Sequence, residues 1–255
     1  MPGRRIRSER EWQAALADHE QGLKVLERVG DAAGRCELLS SLGWIRLMRG
    51  EHREAGDAYR RILRAPRPKE CRHSVLRART GLGHLAWLRG RPADASRHYR
   101  AALGKLGPKD AGLRIAGLNH LSNLAASSSE LASAQTRLQG ALLFCCAGRH
   151  RRERAYTLLH LGRIRSLLGE TDEAARILRS ALDEFNGIGD LHGVVFALLA
   201  QSVHALSAND AAGAGRLAKA ASEEASSPDL TGMREYADAI AARSAAAETR
   251  GSVPR

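Results

Sequence analysis

Residues 87–103 read WLRGRPADASRHYRAAL, and residues 47–63 read LMRGEHREAGDAYRRIL. The two stretches share Arg-Gly, an Ala five residues further on, then a Tyr and a closing Leu, all in one register. A fixed step of several tens of residues marks stacked copies of one supersecondary unit. Two more copies extend the series: AASSSELASAQTRLQGAL at 125–142 and SLLGETDEAARILRSAL at 166–182. A small residue recurs at Gly50, Gly90, Ser129 and Gly169, in steps of 40, 39 and 40. Five positions later stand Ala55, Ala95, Ala134 and Ala174, followed by Tyr59, Tyr99, Leu138 and Leu178. Upstream of each small residue lies Leu-Gly or a variant: Leu42 with Gly43, Leu82 with Gly83, Leu121 with Ser122, Leu161 with Gly162.

Elementary geometry turns this register into a helix–turn–helix unit. Ala55, Tyr59, Ile62 and Leu63 are spaced as one apolar stripe of a 3.6-residue period, as are Leu42, Ile45 and Met48 upstream. The small residue between the stripes suits a tight left-handed turn. Gly43 and Ala55 lack bulk, so two helix backbones can approach closely. Neither stripe is buried by its own helix, whereas stacked units bury both.

Breakers near residues 30, 66–68, 107–108, 148, 187–190 and 227–228 separate the copies at about the same step. A weaker fifth copy spans VVFALLAQSVHALSANDAAGAGRLAKAA, 194–221. The expected organisation is a basic tail at 1–7, then one solenoid at 8–248. It comprises a cap helix at 8–29, repeats at about 31–66, 69–107, 109–147, 150–187 and 190–226, and an Ala-rich cap helix at 229–248. A tail follows at 249–255. Ser8 with Glu11 would form the capping box of the first helix.

The small–x4–Ala–x3–Tyr/Leu pattern, preceded by Leu-Gly, resembles the tetratricopeptide repeat. The common form has a period of about 34 residues. The step of about 40 here resembles the longer repeats of bacterial regulatory and sensor modules, over nearly the whole chain. The resemblance implies an all-α, right-handed superhelical solenoid of about five repeats that binds protein or peptide along a concave groove lined by the first helix of each repeat. By register with Leu-Gly, that groove would hold Trp44 and Met48, then Arg77, His84 and Trp87, then Asn119 and Asn123, then Tyr156 and Arg163. Large aromatics and Arg are the anchors that binding hot spots use. Of the Lys/Asn/Arg clamp of chaperone-tail binders, only Asn123 and Arg163 have counterparts.

The bulk composition narrows the remaining readings. Hydrophobic residues make up 44% of the 255 and aromatics only 4%, so the core is built from Ala, Leu and Ile. The net charge is +12, and it gathers in inter-repeat loops. Arg60, Arg61, Arg64, Arg67 and Arg72 form one cluster, and Arg149, Arg151 and Arg152 another. Such a ridge suits phosphates or acidic partners, which makes nucleic-acid binding the alternative function. The Arg excess alongside abundant Ala and Gly equally matches GC-rich codon usage. Cys36, Cys71, Cys145 and Cys146 form no CxxC pair and are expected as small core side chains in a reducing cytoplasm. No catalytic or metal-binding motif occurs, so no enzyme activity, cofactor or metal is expected. No apolar run approaches the roughly 20 residues of a membrane span. Self-association is left open.

Overall fold

The computed structural model describes residues 9–64, 71–107, 110–145, 150–226 and 230–251. Helices make up the regular structure of these residues, in the order α1 (Glu9–Arg28), α2 (Ala32–Met48), α3 (His52–Arg64), α4 (Arg72–Leu88), α5 (Pro92–Leu103), α6 (Ala111–Ser127), α7 (Leu131–Leu143), α8 (Arg151–Leu167), α9 (Thr171–Ile188), α10 (Leu191–Ser207), α11 (Ala211–Glu224) and α12 (Thr231–Gly251). The even-numbered helices α2 to α10 are the first helices of five hairpins, and α1 and α12 flank them. The Ser8 capping box, Cys146, Arg67 and Arg149 lie outside the described residues, as does the side chain of Met48.

All five hairpin turns use one device. The turn residue takes positive φ at Gly50 (74°), Gly90 (67°), Ser129 (60°), Gly169 (80°) and Asn209 (60°). The next N–H then reaches back five residues to a carbonyl of the first helix, as in Glu51 to Arg46 at 2.9 Å, Arg91 to Ala86 at 2.9 Å and Asp210 to Ala205 at 2.9 Å. This is the left-handed cap that closes a helix and reverses the chain. Asn209 continues the series a further 40 positions, so the weaker fifth copy folds like the others.

The recurrent Ala explains how the two helices of a hairpin meet. Ala55, Ala95, Ala134, Ala174 and Ala214 are all fully buried. Opposite them, the Leu-Gly position receives the large residue of the second helix. A Cβ added at Gly43 would stand 2.5 Å from the Tyr59 ring, one at Gly83 would stand 2.5 Å from Tyr99, and one at Gly162 would stand 2.7 Å from Leu178. In the fifth hairpin a serine takes the Gly position, and the Ser202 hydroxyl donates to the Ala214 carbonyl at 2.8 Å. The Tyr59 ring also fills the space beside Gly81 of α4, where a Cβ would lie 2.3 Å away. One tyrosine thus joins its own hairpin to the next.

The chain divides into two compact units, Met1–Leu113 and Arg114–Arg255. In the first, Leu39, Leu42, Tyr59, Ile62, Val75 and Leu85 belong to one core. Cys36 and Cys71 are buried in it as free thiols. Cys71 donates to the Ala32 carbonyl at 3.4 Å. Burial, together with the adjacent Cys71, pushes the Cys36 thiol up to about 12. In the second unit, Leu159, Leu178, Phe185, Val195, Leu199, Leu230 and Ile240 share one core. Ala125, Leu138, Leu161 and Ile177 share another.

Two Arg–Asp clasps lie at the starts of first helices. Arg72, at the start of α4, holds Asp110, just before α6, at 2.6 Å. Asp110 also accepts from the Gly107 N–H at 2.7 Å. Arg152 of α8 holds Asp190, the N-cap of α10, at 2.7 Å, and Asp190 accepts from the Gly193 N–H at 3.2 Å. Asp110 therefore satisfies a loop N–H and Asp190 an N–H at a helix start, and each answers a guanidinium one repeat back.

Candidate protein-binding faces

In the first unit, the expected groove residues sit on the solvent sides of α2 and α4, which pack together. Trp44 is 46% exposed and Trp87 is 42% exposed, so neither ring is core. Arg77 and His73 are exposed on the same stripe of α4, with Thr80 and His84 half-buried between them and Trp87. The rings of His84 and Trp87 lie 5.7 Å apart, tilted by 38°. Burial lowers the pKa of His84, and His52 nearby lowers it further. The imidazole is therefore neutral near pH 7, an apolar partner to the indole with a polar edge.

In the second unit, one expected groove residue is corrected. Asn119 is 4% exposed and accepts a hydrogen bond from the Thr157 hydroxyl at 3.1 Å. It is a buried link between α6 and α8, because its side chain points into the seam between neighbouring first helices. Asn123 is half-buried, and its amide lies 3.4 Å from His160 Nε2. With Nε2 accepting, Nδ1 carries the proton, and it is buried without a partner. Burial first, then Arg163 and His120, push the His160 pKa down to about 3. Ser166 and His204 make the equivalent link between α8 and α10 at 2.8 Å. Polar links thus join α6 to α8 and α8 to α10.

Tyr156 is half-buried, edge-on to Phe185 with ring centroids 4.8 Å apart. The Arg152 guanidinium lies 5.8 Å from its ring. Burial, aided by Asp190, pushes the Tyr156 hydroxyl up to about 12. Arg163 is exposed; its enclosed surroundings lower its pKa, and Tyr236 of α12 opposes that shift. Sequence reasoning passed over Phe196, 41% exposed, Val203, 43% exposed, and Tyr236, 53% exposed. The signal was present: adding the step of 40 to Tyr156 gives Phe196 and then Tyr236, and adding it to Arg163 gives Val203 and then Arg243.

Most of the described Arg-rich ridge is already committed to carboxylates. Arg60 pairs with Asp57 at 2.7 Å, Arg61 with Glu27 at 2.9 Å, Arg72 with Asp110 and Arg152 with Asp190. Arg64 and Arg151 are exposed. The two clusters belong to different units. No group of three or more potential metal ligands occurs among the described residues. Nor is any of their helices long and apolar enough to cross a membrane.

These features define an all-α helical-hairpin repeat protein. The family model for the tetratricopeptide repeat matches residues 157–184, which run from mid-α8 into α9. BtubC (BKLC) from P. vanneervenii has the same fold, with a TM-score of 0.60 at 18% identity over 84% of this chain and 90% of that one. A chain of the APC/C hetero-tetramer Cut9-Hcn1 follows with a TM-score of 0.54 at 16% identity, over 89% of this chain and 42% of that one. A tetratricopeptide repeat protein from Parabacteroides merdae is a weaker likeness, with a TM-score of 0.41 at 13% identity over 88% of this chain and 99% of that one. No curated protein matches significantly. The chain thus carries a tetratricopeptide repeat signature at residues 157–184 within an all-α repeat fold.

Proposed function

We propose that the chain is a non-catalytic adaptor that binds a protein or peptide on the first-helix face of its repeats. The observation that carries this reading is the exposure of Trp44 and Trp87, 46% and 42%, on adjacent first helices. Large aromatics left in water on a stacked-repeat face are not needed for folding, and they are the side chains that dominate binding hot spots. Arg77 beside them supplies a forked donor for a carboxylate. The alternative, nucleic-acid binding through the Arg-rich loops, has weaker support, since four of its six described members already hold acidic partners.

The test compares the native chain with its Trp44→Ala, Trp87→Ala double variant in affinity capture from the source lysate, with and without nuclease. The expected result is a discrete protein partner that survives nuclease and is lost in the double variant, with an unchanged melting temperature. Retention of that partner, or a melted variant, overturns this face as the site. Partners lost on nuclease treatment would shift the reading to the Arg-rich loops.

A further inference from the structure

Cys36 and Cys71 stand far apart in the chain and meet in one place in the fold. Cys36 lies in the second turn of α2, where regular helical hydrogen bonding takes its N–H to the Ala32 carbonyl. Cys71 is the N-cap of α4, and its thiol donates to that same Ala32 carbonyl at 3.4 Å. The two cysteines therefore converge on one oxygen, Cys36 from within α2 and Cys71 from across the packed α2–α4 pair. They are 0% and 1% exposed and belong to a single core. Their thiols are also within hydrogen-bonding reach of each other.

The repeat register shows that neither cysteine is what its position requires. Counting back from the turn residues, the counterparts of Cys36 are Leu76, Ile115, Ala155 and Val195, all buried and apolar. The counterparts of Cys71 are Asp31, Asp110, His150 and Asp190. Asp31 and Asp190 cap their helices with a side-chain hydrogen bond, and Cys71 makes none. The second first helix thus gives up a capping bond and places a thiol against the one thiol of the first. Two of the chain's four cysteines occur as this substitution at facing positions of adjacent repeats.

We infer that Cys36 and Cys71 are a redox-sensitive pair that a small-molecule disulfide, such as oxidised glutathione, converts to a disulfide stapling α2 to the start of α4. Packed thiols are slow nucleophiles, because exchange needs the thiolate. Helix ends open at the lowest cost, so the uncapped start of α4 presents Cys71 first. Its thiolate attacks one sulfur of the glutathione disulfide, that S–S bond breaks, and one glutathione leaves as thiolate. The Cys36 thiolate then attacks the Cys71 sulfur of the mixed disulfide and expels the second glutathione. Two protein thiols are oxidised, one glutathione disulfide is reduced to two thiols, and the two thiol protons pass to the departing glutathione. The staple fixes the starts of the helices that carry Trp44 and Trp87, and it holds whatever binds there.

The test incubates the folded full chain with glutathione disulfide at about pH 8, near the ordinary thiol range. The chain is then unfolded with N-ethylmaleimide, digested and mapped by mass spectrometry. The expected result is a disulfide-linked pair of peptides carrying Cys36 and Cys71, with both lost from the alkylated pool. The urea midpoint should rise on oxidation and return with dithiothreitol, since the link constrains the unfolded chain. Cys71→Ser and Cys36→Val, the latter supplying the side chain found at this position in α10, should each abolish the link and the midpoint shift, with folding checked by circular dichroism. Recovery of both residues as alkylated thiols overturns the inference and leaves them as inert core side chains. A lasting glutathione adduct on Cys71, or a link to Cys145, Cys146 or a second chain, overturns it too. So does a Cys36–Cys71 link that lowers the urea midpoint. Each of these outcomes leaves the adaptor reading to its own capture experiment.

Discussion

Ser129 holds a backbone conformation that the first, second and fourth turns assign to Gly, with φ at 60°. A non-glycine residue there costs free energy through its Cβ, and the chain tolerates it because the turn is over-determined by the flanking helices. Ser129→Gly should therefore raise the stability of the second unit by about 0.5–1 kcal/mol, read as a higher urea midpoint. A lower midpoint would mean that the Ser side chain contributes more than its strain costs. His160 gives a second residue-scale prediction. Its folded pKa of about 3 lies below the ordinary 6.5, so the unfolded chain takes up the proton first. Its stabilising contribution is complete above about 6.5 and is lost as the pH falls toward 3. His160→Gln keeps an acceptor for Asn123 and removes the titration. The fall in urea midpoint from neutral pH to about pH 5 should be smaller in that variant than in the native chain.

Helix ends do much of the joining between elements. Asp190 caps α10, accepting from Gly193 at 3.2 Å while holding Arg152 at 2.7 Å, and it is 10% exposed. Asp190→Ala removes both interactions and leaves a guanidinium beside an unsatisfied helix start. The expected cost is about 1–2 kcal/mol, read by thermal denaturation. Arg97, paired with Asp94 one turn earlier on α5 and 76% exposed, is the comparison: Arg97→Ala should leave the melting temperature unchanged, as exposed pairs contribute little. Equal effects of the two variants would refute the distinction between clasp and surface pair.

Across the whole molecule, stability in a stacked-repeat chain is a sum of local terms and nearest-neighbour contacts. Gly43→Ala forces a Cβ to within 2.5 Å of the Tyr59 ring, at a cost of about 1–3 kcal/mol. Hydrogen exchange should show faster exchange for amides of α2, α3 and α4, with those of α9 to α11 unchanged. A uniform loss of protection would mean that the two units unfold as one. The exposed aromatics divide on the same scale: Trp44 and Trp87 belong to the first unit, and Phe196 and Tyr236 belong to the second.

The helical class, the hairpin turns and the buried face of each hairpin were legible from the sequence. A turn residue, an Ala and a large side chain recurring at a near-constant step are local requirements of one helical hairpin, and local requirements leave a period. Which side of each first helix meets water, and which meets the next repeat, was only partly legible. Asn119 and Arg163 occupy the same candidate face by register, yet one is sealed against Thr157 and the other is exposed, because the seam between first helices depends on how closely neighbouring helices pack. Only the tertiary structure decided that packing, since it sums small packing angles that no single repeat encodes.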